Sequence, residues 1–330
     1  GVDVGTDYVP ELDRQLRSLI EEGHRLVKVR FCGEPTYLVL QYNDVSALIG
    51  DEARVPAGPE FERNYAVQGR TLLRMTGEEH RINRALVSRA FGPGAVRASV
   101  EEALVPIGNR LIDKLQDGRR VDLIAGYIKP YAFAVISHML GIPPEDEEQV
   151  KVWVYGMFAG LGPGLPEEKA ERQRQAIAHR DQLDAYMRPI VEDRRKSPRS
   201  DLVSRLVTAE TEGQKLSDEE VLTFIRILYP AGADTTYHSM GSMMNQVLGD
   251  PELRKRLIED KSRHKATVEE SLRKFPAVAF VQRYLKTDQT ICDVEIAAGS
   301  TLLYSTIAAN GDPKVVKDPA FSVDRESCKL

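Results

Sequence analysis

Three short stretches put chemistry-bearing side chains at spacings that a helix would bring together. "LYPAGADTTYH", residues 228–238, sets Pro230, Gly232, Asp234 and Thr235 into an otherwise apolar run. Asp234 and Thr235 are a carboxylate beside a hydroxyl, the group types that hold and pass a proton. A kinked core helix whose threonines bond back to carbonyls one turn earlier would use the same residues. "TGEEHRINRALVSRAFGPG" carries His80 and Arg84 four apart, so both lie on one helix face. Two cationic groups stacked this way repel mildly unless they share an anion such as a phosphate or carboxylate. The plainer alternative is a solvated basic face that also includes Arg81. "TVEESLRKFPAV" contains Glu270 and Arg273, an i,i+3 pair. On a surface such a pair contributes a few tenths of a kcal/mol. Buried, it needs further partners.

The elements that must position these groups are legible from caps and breakers. Ser217 and Glu220 form a capping box at the start of a helix of about 30 residues, or roughly 45 Å at 1.5 Å per residue. Asp250-Pro251 reads as the N-cap and first residue of the next helix. Apolar residues on nearly every face predict that the long helix is central and buried. Pro230 cannot donate to the carbonyl of Arg226, and Gly232 costs about 1 kcal/mol against Ala, so the helix is expected to open there and admit a close approach to its backbone. Thr76 and Glu79 predict a second capping box, with Gly92 and Gly94 ending that helix. Helices dominate from about 76 to about 274, separated by "FGPG", "LQDGRR", "GIPPED", "LGPGLP", "KSPRSD" and "TEGQ". Strands are expected near both ends. "HRLVKVRFCG" and "PTYLVLQY" flank a turn at Gly33-Glu34-Pro35, followed by a short helix capped by Asn43. Residues 282–306 read as short strands, with "TICDVEIAAGSTLLYST" a hairpin around Ala298 and Gly299. Neither strand region is long enough to stand alone, so the two are expected to pair. The class is mainly α with a small mixed β region.

Composition narrows the function. Of 330 residues, 42% are hydrophobic and 29% charged, which describes an ordinary globule. A net charge of −5 argues against a broad nucleic-acid footprint. The three cysteines, Cys32, Cys292 and Cys328, form no CxxC and no His-Cys cluster. That disfavours a zinc site or a disulfide framework and fits a reducing cytoplasm. No apolar run reaches the length of a signal peptide or membrane span.

Taken in order, the motifs resemble the cytochrome P450 family of heme-thiolate monooxygenases along essentially the whole chain. "AGADTT" resembles that family's oxygen-activating helix motif, "ESLR" its Glu-x-x-Arg, and "HRINR" the His-x-x-x-Arg that meets the heme propionates. "VAFVQRYLKTD" resembles the segment whose arginine, here Arg283, meets a propionate. "ANGDPKVVKDPAFSVDR" resembles the meander, with Arg325 joining Glu270 and Arg273 in one structural cluster; Gly311 departs from it, since an arginine is usual there. The resemblance implies heme b held by His80, Arg84 and Arg283, a flat macrocycle against Ala231 and Gly232, and protons handled by Asp234 and Thr235. It also implies a ferredoxin or flavodoxin-type electron donor, a lipophilic small-molecule substrate, and a lid, "EEQVKVWVYGMFAGLGPGLPEEKAERQ", whose Trp153, Tyr155, Met157 and Phe158 cover the pocket. Ordinary helix packing is the alternative for those four.

The family's axial cysteine follows a Phe-Gly-x-Gly loop, which the resemblance puts roughly fifteen residues beyond Arg325. The sequence ends five residues beyond it, and Cys328 has no such loop before it. Cys328 is also flanked by Glu326 and Lys329, unlike the dry pocket a thiolate ligand needs. Cys32 lies in the first hairpin, far in sequence from the other motifs, and Cys292 reads as part of the "TICDV" strand, which leaves no loop to wrap the sulfur, so none of the three cysteines is expected to bind the iron. The sequence is expected to be a single P450-like domain, residues 1–330, that is C-terminally incomplete. The competing function is a heme-free relative that acts as structural partner or activator of another enzyme.

Overall fold

The computed structural model describes residues 3–57, 65–115, 120–159 and 166–325. The chain divides into two compact units, residues 1–59 with 238–330 and residues 60–237. The long helix, Asp218–Gly249, passes from one unit into the other along its length.

The first unit is built on strands from both ends of the sequence. Strands β1 (Leu26–Phe31) and β2 (Glu34–Val39) form an antiparallel hairpin. Its turn is Cys32-Gly33, with φ of 50° and 87°, rather than the expected Gly33-Glu34-Pro35. A two-residue turn that matches strand twist needs positive φ at both positions, and Gly33 supplies the easier half. In the second unit, β3 (Glu210–Thr211) and β4 (Gln214–Lys215) repeat the device at Glu212-Gly213.

Back in the first unit, β5 (Phe280–Tyr284) is followed by the small hairpin of β6 (Gln289–Ile291) and β7 (Val294–Ile296), and then by β8 (Thr301–Ser305). The main sheet runs β1-β2-β8-β5, with β2 parallel to β8 from Thr36↔Thr301 to Val39↔Tyr304. The expected pairing of the two strand regions is therefore present. The expected hairpin at Ala298-Gly299 is not. A turn does close there, Ser300 N–H donating to the Ala297 carbonyl at 3.3 Å, but β7 and β8 lie in different sheets. The tight hairpin turns at Cys292-Asp293, with φ of 51° and 65°.

Both faces of the main sheet are buried, which is why "YLVL" and "TLLYS" read as continuous apolar runs instead of alternating ones. Leu38, Leu40 and Leu303 face Leu16 and Ile20 of the Leu12–Glu21 helix. Val39, Leu302 and Tyr304 face Val45 and Leu48 of the Tyr42–Ile49 helix. That helix starts one residue ahead of the expected Asn43 cap, with Gln41 at the N-cap position.

The helical unit packs Gly77–Ala90, Lys129–Met139, Glu147–Ala159, Pro166–Lys196 and Leu202–Thr208 around the first five turns of the long helix. Leu183, Met187 and Val191 form an i,i+4 stripe; Val221, Ile225, Tyr229 and Ala233 form its counterpart on the long helix, all almost wholly buried. The Ser217 capping box is made. The Ser217 amide donates to Glu220 Oε2 at 2.8 Å and the Glu220 amide to Ser217 Oγ at 3.3 Å. Asp250 caps the following helix through the amides of Glu252 and Leu253, each at 3.0 Å. Among the described residues no helix is long and apolar enough to cross a membrane.

Candidate active site

The long helix stays helical through Pro230. The expected local opening is absent, because its side chains bond inward. Thr235 Oγ1 donates to the Ala231 carbonyl one turn earlier, at 2.6 Å. Asp234 Oδ1 accepts from the phenol of Tyr155, 2.7 Å away, on the Glu147–Ala159 helix. The group that comes close to Gly232 is Ile136: a Cβ at position 232 would lie 3.2 Å from its Cδ1.

Ala231 is exposed, and with Phe224, Ile227 and Leu228 of the same helix it lines a cavity of about 500 Å³. The facing wall is Arg84, Val87 and Phe91 of the Gly77–Ala90 helix, together with Thr71, Leu72 and Leu73. The walls are apolar, with few polar groups between them. A pocket of this kind selects an apolar body and fixes its orientation at a few points.

Charge on the Gly77–Ala90 helix is distributed unevenly. Arg81 is neutralised by Glu78 and Glu212, at 2.6 and 2.8 Å. Arg70 takes the Glu79 carboxylate through two 2.5 Å contacts, so Glu79 is not free to close the expected capping box, and Thr76 at the N-cap makes no side-chain bond to the helix. His80 is half-buried, one turn ahead of Arg84. Arg84 has no carboxylate partner among the described residues, and it sits in the wall of the apolar cavity. A guanidinium placed there suits an anion carried by an otherwise apolar body, which is the chemistry of a heme propionate. The residues present fit that group.

In the other unit, Arg283 on β5 donates to the Gln282 carbonyl at 2.9 Å and lies 5.8 Å over the Tyr304 ring. It too lacks a carboxylate partner among the described residues. Glu270, Arg273 and Arg325 meet in the same unit. Arg273 holds both Glu270 oxygens at 2.7 and 2.8 Å, the Ser322 amide donates at 3.0 Å, and Arg325 Nε donates at 3.1 Å. Glu270 and Arg273 are 5% and 2% exposed, so the pair is not a surface one. Burial pushes the Glu270 carboxyl up, but the bonds from Arg273, the Ser322 amide and Arg325 outweigh it and hold the group below its ordinary value. Gly311 accepts from Arg17 Nη1 at 3.0 Å through its carbonyl.

Neither described cysteine is built as a metal ligand. Cys32 is exposed in the first hairpin turn. Cys292 sits in the β6–β7 turn and not in an extended strand. Its thiol is pushed up to about 11 by burial, with Asp44 adding to the shift. Cys328 lies outside the described residues, as do residues 160–165 of the expected lid. Of that segment's aromatic and sulfur side chains, Met157 is fully buried, while Trp153 and Phe158 pack on the helical core. Tyr155 alone among these four reaches Asp234.

Sequence reasoning missed Tyr155 as the partner of Asp234. It also missed the buried Arg226, which Asp184 holds in a bidentate pair, the Nε contact being 2.8 Å, with Glu219 adding a contact at 2.8 Å. Asp184 lies 42 residues and Tyr155 79 residues from its partner in the sequence, so no spacing rule could have found either pair.

Comparison with known proteins gives the family. The cytochrome P450 family model matches residues 8–325. Mycinamicin IV hydroxylase/epoxidase of Micromonospora griseorubida is 34% identical over 308 residues, which cover 89% of this chain and 74% of that protein. Cyclomarin C epoxidase CymV of Salinispora arenicola is 28% identical over 326 residues, covering 96% of this chain and 80% of that one. The ligand-free structure of cytochrome P450 TbtJ1 aligns with a TM-score of 0.84 at 29% identity, over 98% of this chain and 83% of that one. With the fold, the ordered motifs and these relatives in agreement, the chain belongs to the cytochrome P450 family of monooxygenases.

Proposed function

We propose that this protein is a cytoplasmic, heme b-dependent monooxygenase that inserts one oxygen atom of dioxygen into a lipophilic small molecule. Electrons come from a ferredoxin or flavodoxin-type donor. The observation that carries the reading is the apolar cavity with Arg84, which has no carboxylate partner among the described residues, in one wall and Ala231 in the other, one turn from an acid-alcohol pair.

Heme would supply the oxygen-activating chemistry when bound. Arg84, with His80, would hold propionate oxygens by charge-assisted bonds, and Arg283 is the arginine that the family resemblance assigns to a propionate. Leu72, Phe91, Phe224 and Ile227 leave apolar surface in the cavity for the substrate. Thr235 and Asp234 manage protons. As folded, the Thr235 proton is committed to the Ala231 carbonyl and the Asp234 oxygen is occupied by Tyr155. Transfer requires the Thr235 hydroxyl to leave that carbonyl, with Asp234, once it has taken a proton from solvent, replacing the proton Thr235 gives up. Glu270, Arg273 and Arg325 hold the segment around 318–325 against the His264–Lys274 helix and take no part in the chemistry.

The test is Thr235→Ala in the full-length, heme-loaded enzyme. Candidate substrates, mycinamicin IV and cyclomarin C among them, are first screened by spectral shift. With a molecule that binds, the variant keeps its affinity but releases peroxide in place of product. Equal losses of binding and coupling would assign Thr235 to shaping the pocket.

A further inference from the structure

Among the described residues, the carboxylate of Asp234 is held by one side chain from outside its own helix, and that side chain is itself packed in place. The Tyr155 phenol donates to Asp234 Oδ1 at 2.7 Å. The Tyr155 ring lies 5.7 Å from that of Phe133, inclined at 50°. The ammonium of Lys129 sits 5.8 Å over the Tyr155 ring and 5.6 Å over that of Tyr237. Phe133 also contacts Tyr229 and Tyr237, at 6.0 and 6.4 Å between centroids. The ring is thus held by Phe133 and Lys129 of the Lys129–Met139 helix, and Phe133 in turn packs on Tyr229 and Tyr237 of the long helix. Burial first, and the bond to Asp234 second, push the Tyr155 phenol well above its ordinary value. The phenol therefore keeps its proton throughout the working range and acts as a fixed donor, never as a source of protons.

We infer that Tyr155 is the positioning residue for Asp234, fixing the orientation from which its carboxyl group, protonated from solvent, passes protons toward Thr235. The inference rests on the proposed proton-handling role of Asp234. A carboxylate on a half-buried helix face has several rotamers, and a bond donated by an immobile ring selects one of them. Phenylalanine at position 155 would keep the ring packing and remove only that selection.

A substrate-free reaction reads the consequence directly. Dioxygen taking two electrons and two protons leaves as hydrogen peroxide; taking four of each, it leaves as two waters. Faulty proton delivery shifts the split toward peroxide. The full-length, heme-loaded wild type, Tyr155→Phe, Asp234→Asn and the double variant are supplied with NADPH, a ferredoxin and its reductase. Electrons consumed per dioxygen, the effect of deuterated water and the urea midpoint are measured for each.

The expected result for Tyr155→Phe is a shift in the water-to-peroxide ratio of about tenfold, the scale of losing one bond to a charged group. It comes with a larger solvent isotope effect and a urea midpoint close to wild type. The double variant is no worse than Asp234→Asn alone. If Asp234→Asn shifts the ratio and Tyr155→Phe does not, the role of Tyr155 is wrong while that of Asp234 stands. If Asp234→Asn shifts nothing, both fall. Additive losses in the double variant, or a lowered midpoint with an unchanged ratio, also overturn the inference.

Discussion

Replacing Glu270 by alanine removes the centre of the most enclosed charge cluster near the meander. The carboxylate accepts four hydrogen bonds, two from Arg273 and one each from the Ser322 amide and Arg325. In Glu270→Ala, Arg325 is only partly buried and keeps the Asp318 and Ala320 carbonyls at 2.6 and 2.8 Å. Its loss is therefore modest. Arg273 is 2% exposed and keeps the carbonyls of Asn310 and Pro319, at 3.0 and 3.3 Å, but no counter-charge. Stranding one buried charge costs about 3–5 kcal/mol. With a urea slope of about 3 kcal/mol/M, the midpoint falls by roughly 1–1.7 M. Glu270→Gln, which retains a carbonyl acceptor, falls less. Replacing Glu270 and Arg273 together by apolar residues recovers part of the loss, because no charge is then stranded. The pH dependence has a definite sign. The folded-state value of Glu270 is depressed from 4.5, so its contribution is complete above that pH and disappears as the pH falls through the folded value. The gap between wild type and Glu270→Ala narrows in acid accordingly. A midpoint shift below about 0.3 M at neutral pH, or a gap that widens on acidification, would refute the reasoning.

Three further outcomes follow from the same geometry. Arg84→Ala lowers heme retention, while the urea midpoint of the heme-free chain moves by no more than about 0.5 kcal/mol equivalent, since an exposed arginine without an ion pair contributes little to folding; heme titration and urea melts check both. Cys292, its thiol pushed up to about 11 by burial, stays protonated at pH 7.5 and resists iodoacetamide until the protein unfolds, whereas the exposed Cys32 is modified first; peptide mass spectrometry reads the order. Ser217→Ala breaks the capping box of the long helix and costs about 1 kcal/mol in a urea melt.

What could be read from the sequence was local. The Ser217 box and the Asp250 cap involve neighbours two or three residues apart, and both are present. The pairing of the two strand regions followed from their being too short to stand alone. The turns were misplaced because two of them carry Cys32 and the Cys292-Asp293 pair in left-handed backbone, where the residue types give little warning. The Thr76 box failed for a non-local reason. Glu79 has a better partner in Arg70, and a doubly bonded guanidinium outcompetes a single amide. The supposed opening at Pro230 also failed, since the helix stays intact there and Thr235 caps the Ala231 carbonyl. Tyr155 was noticed as one aromatic among several, but its bond to Asp234 joins two helices that meet only in the folded helical unit.

The central claim is that this chain holds heme in the manner of its family and uses it on oxygen. The most direct measurement is the absorbance spectrum of the full-length protein, supplied with heme, reduced, and exposed to carbon monoxide. The account predicts stoichiometric heme uptake that weakens in Arg84→Ala, and the red-shifted Soret band of a thiolate-ligated iron. No heme uptake, or a band of the imidazole-ligated kind in the wild type, would contradict it.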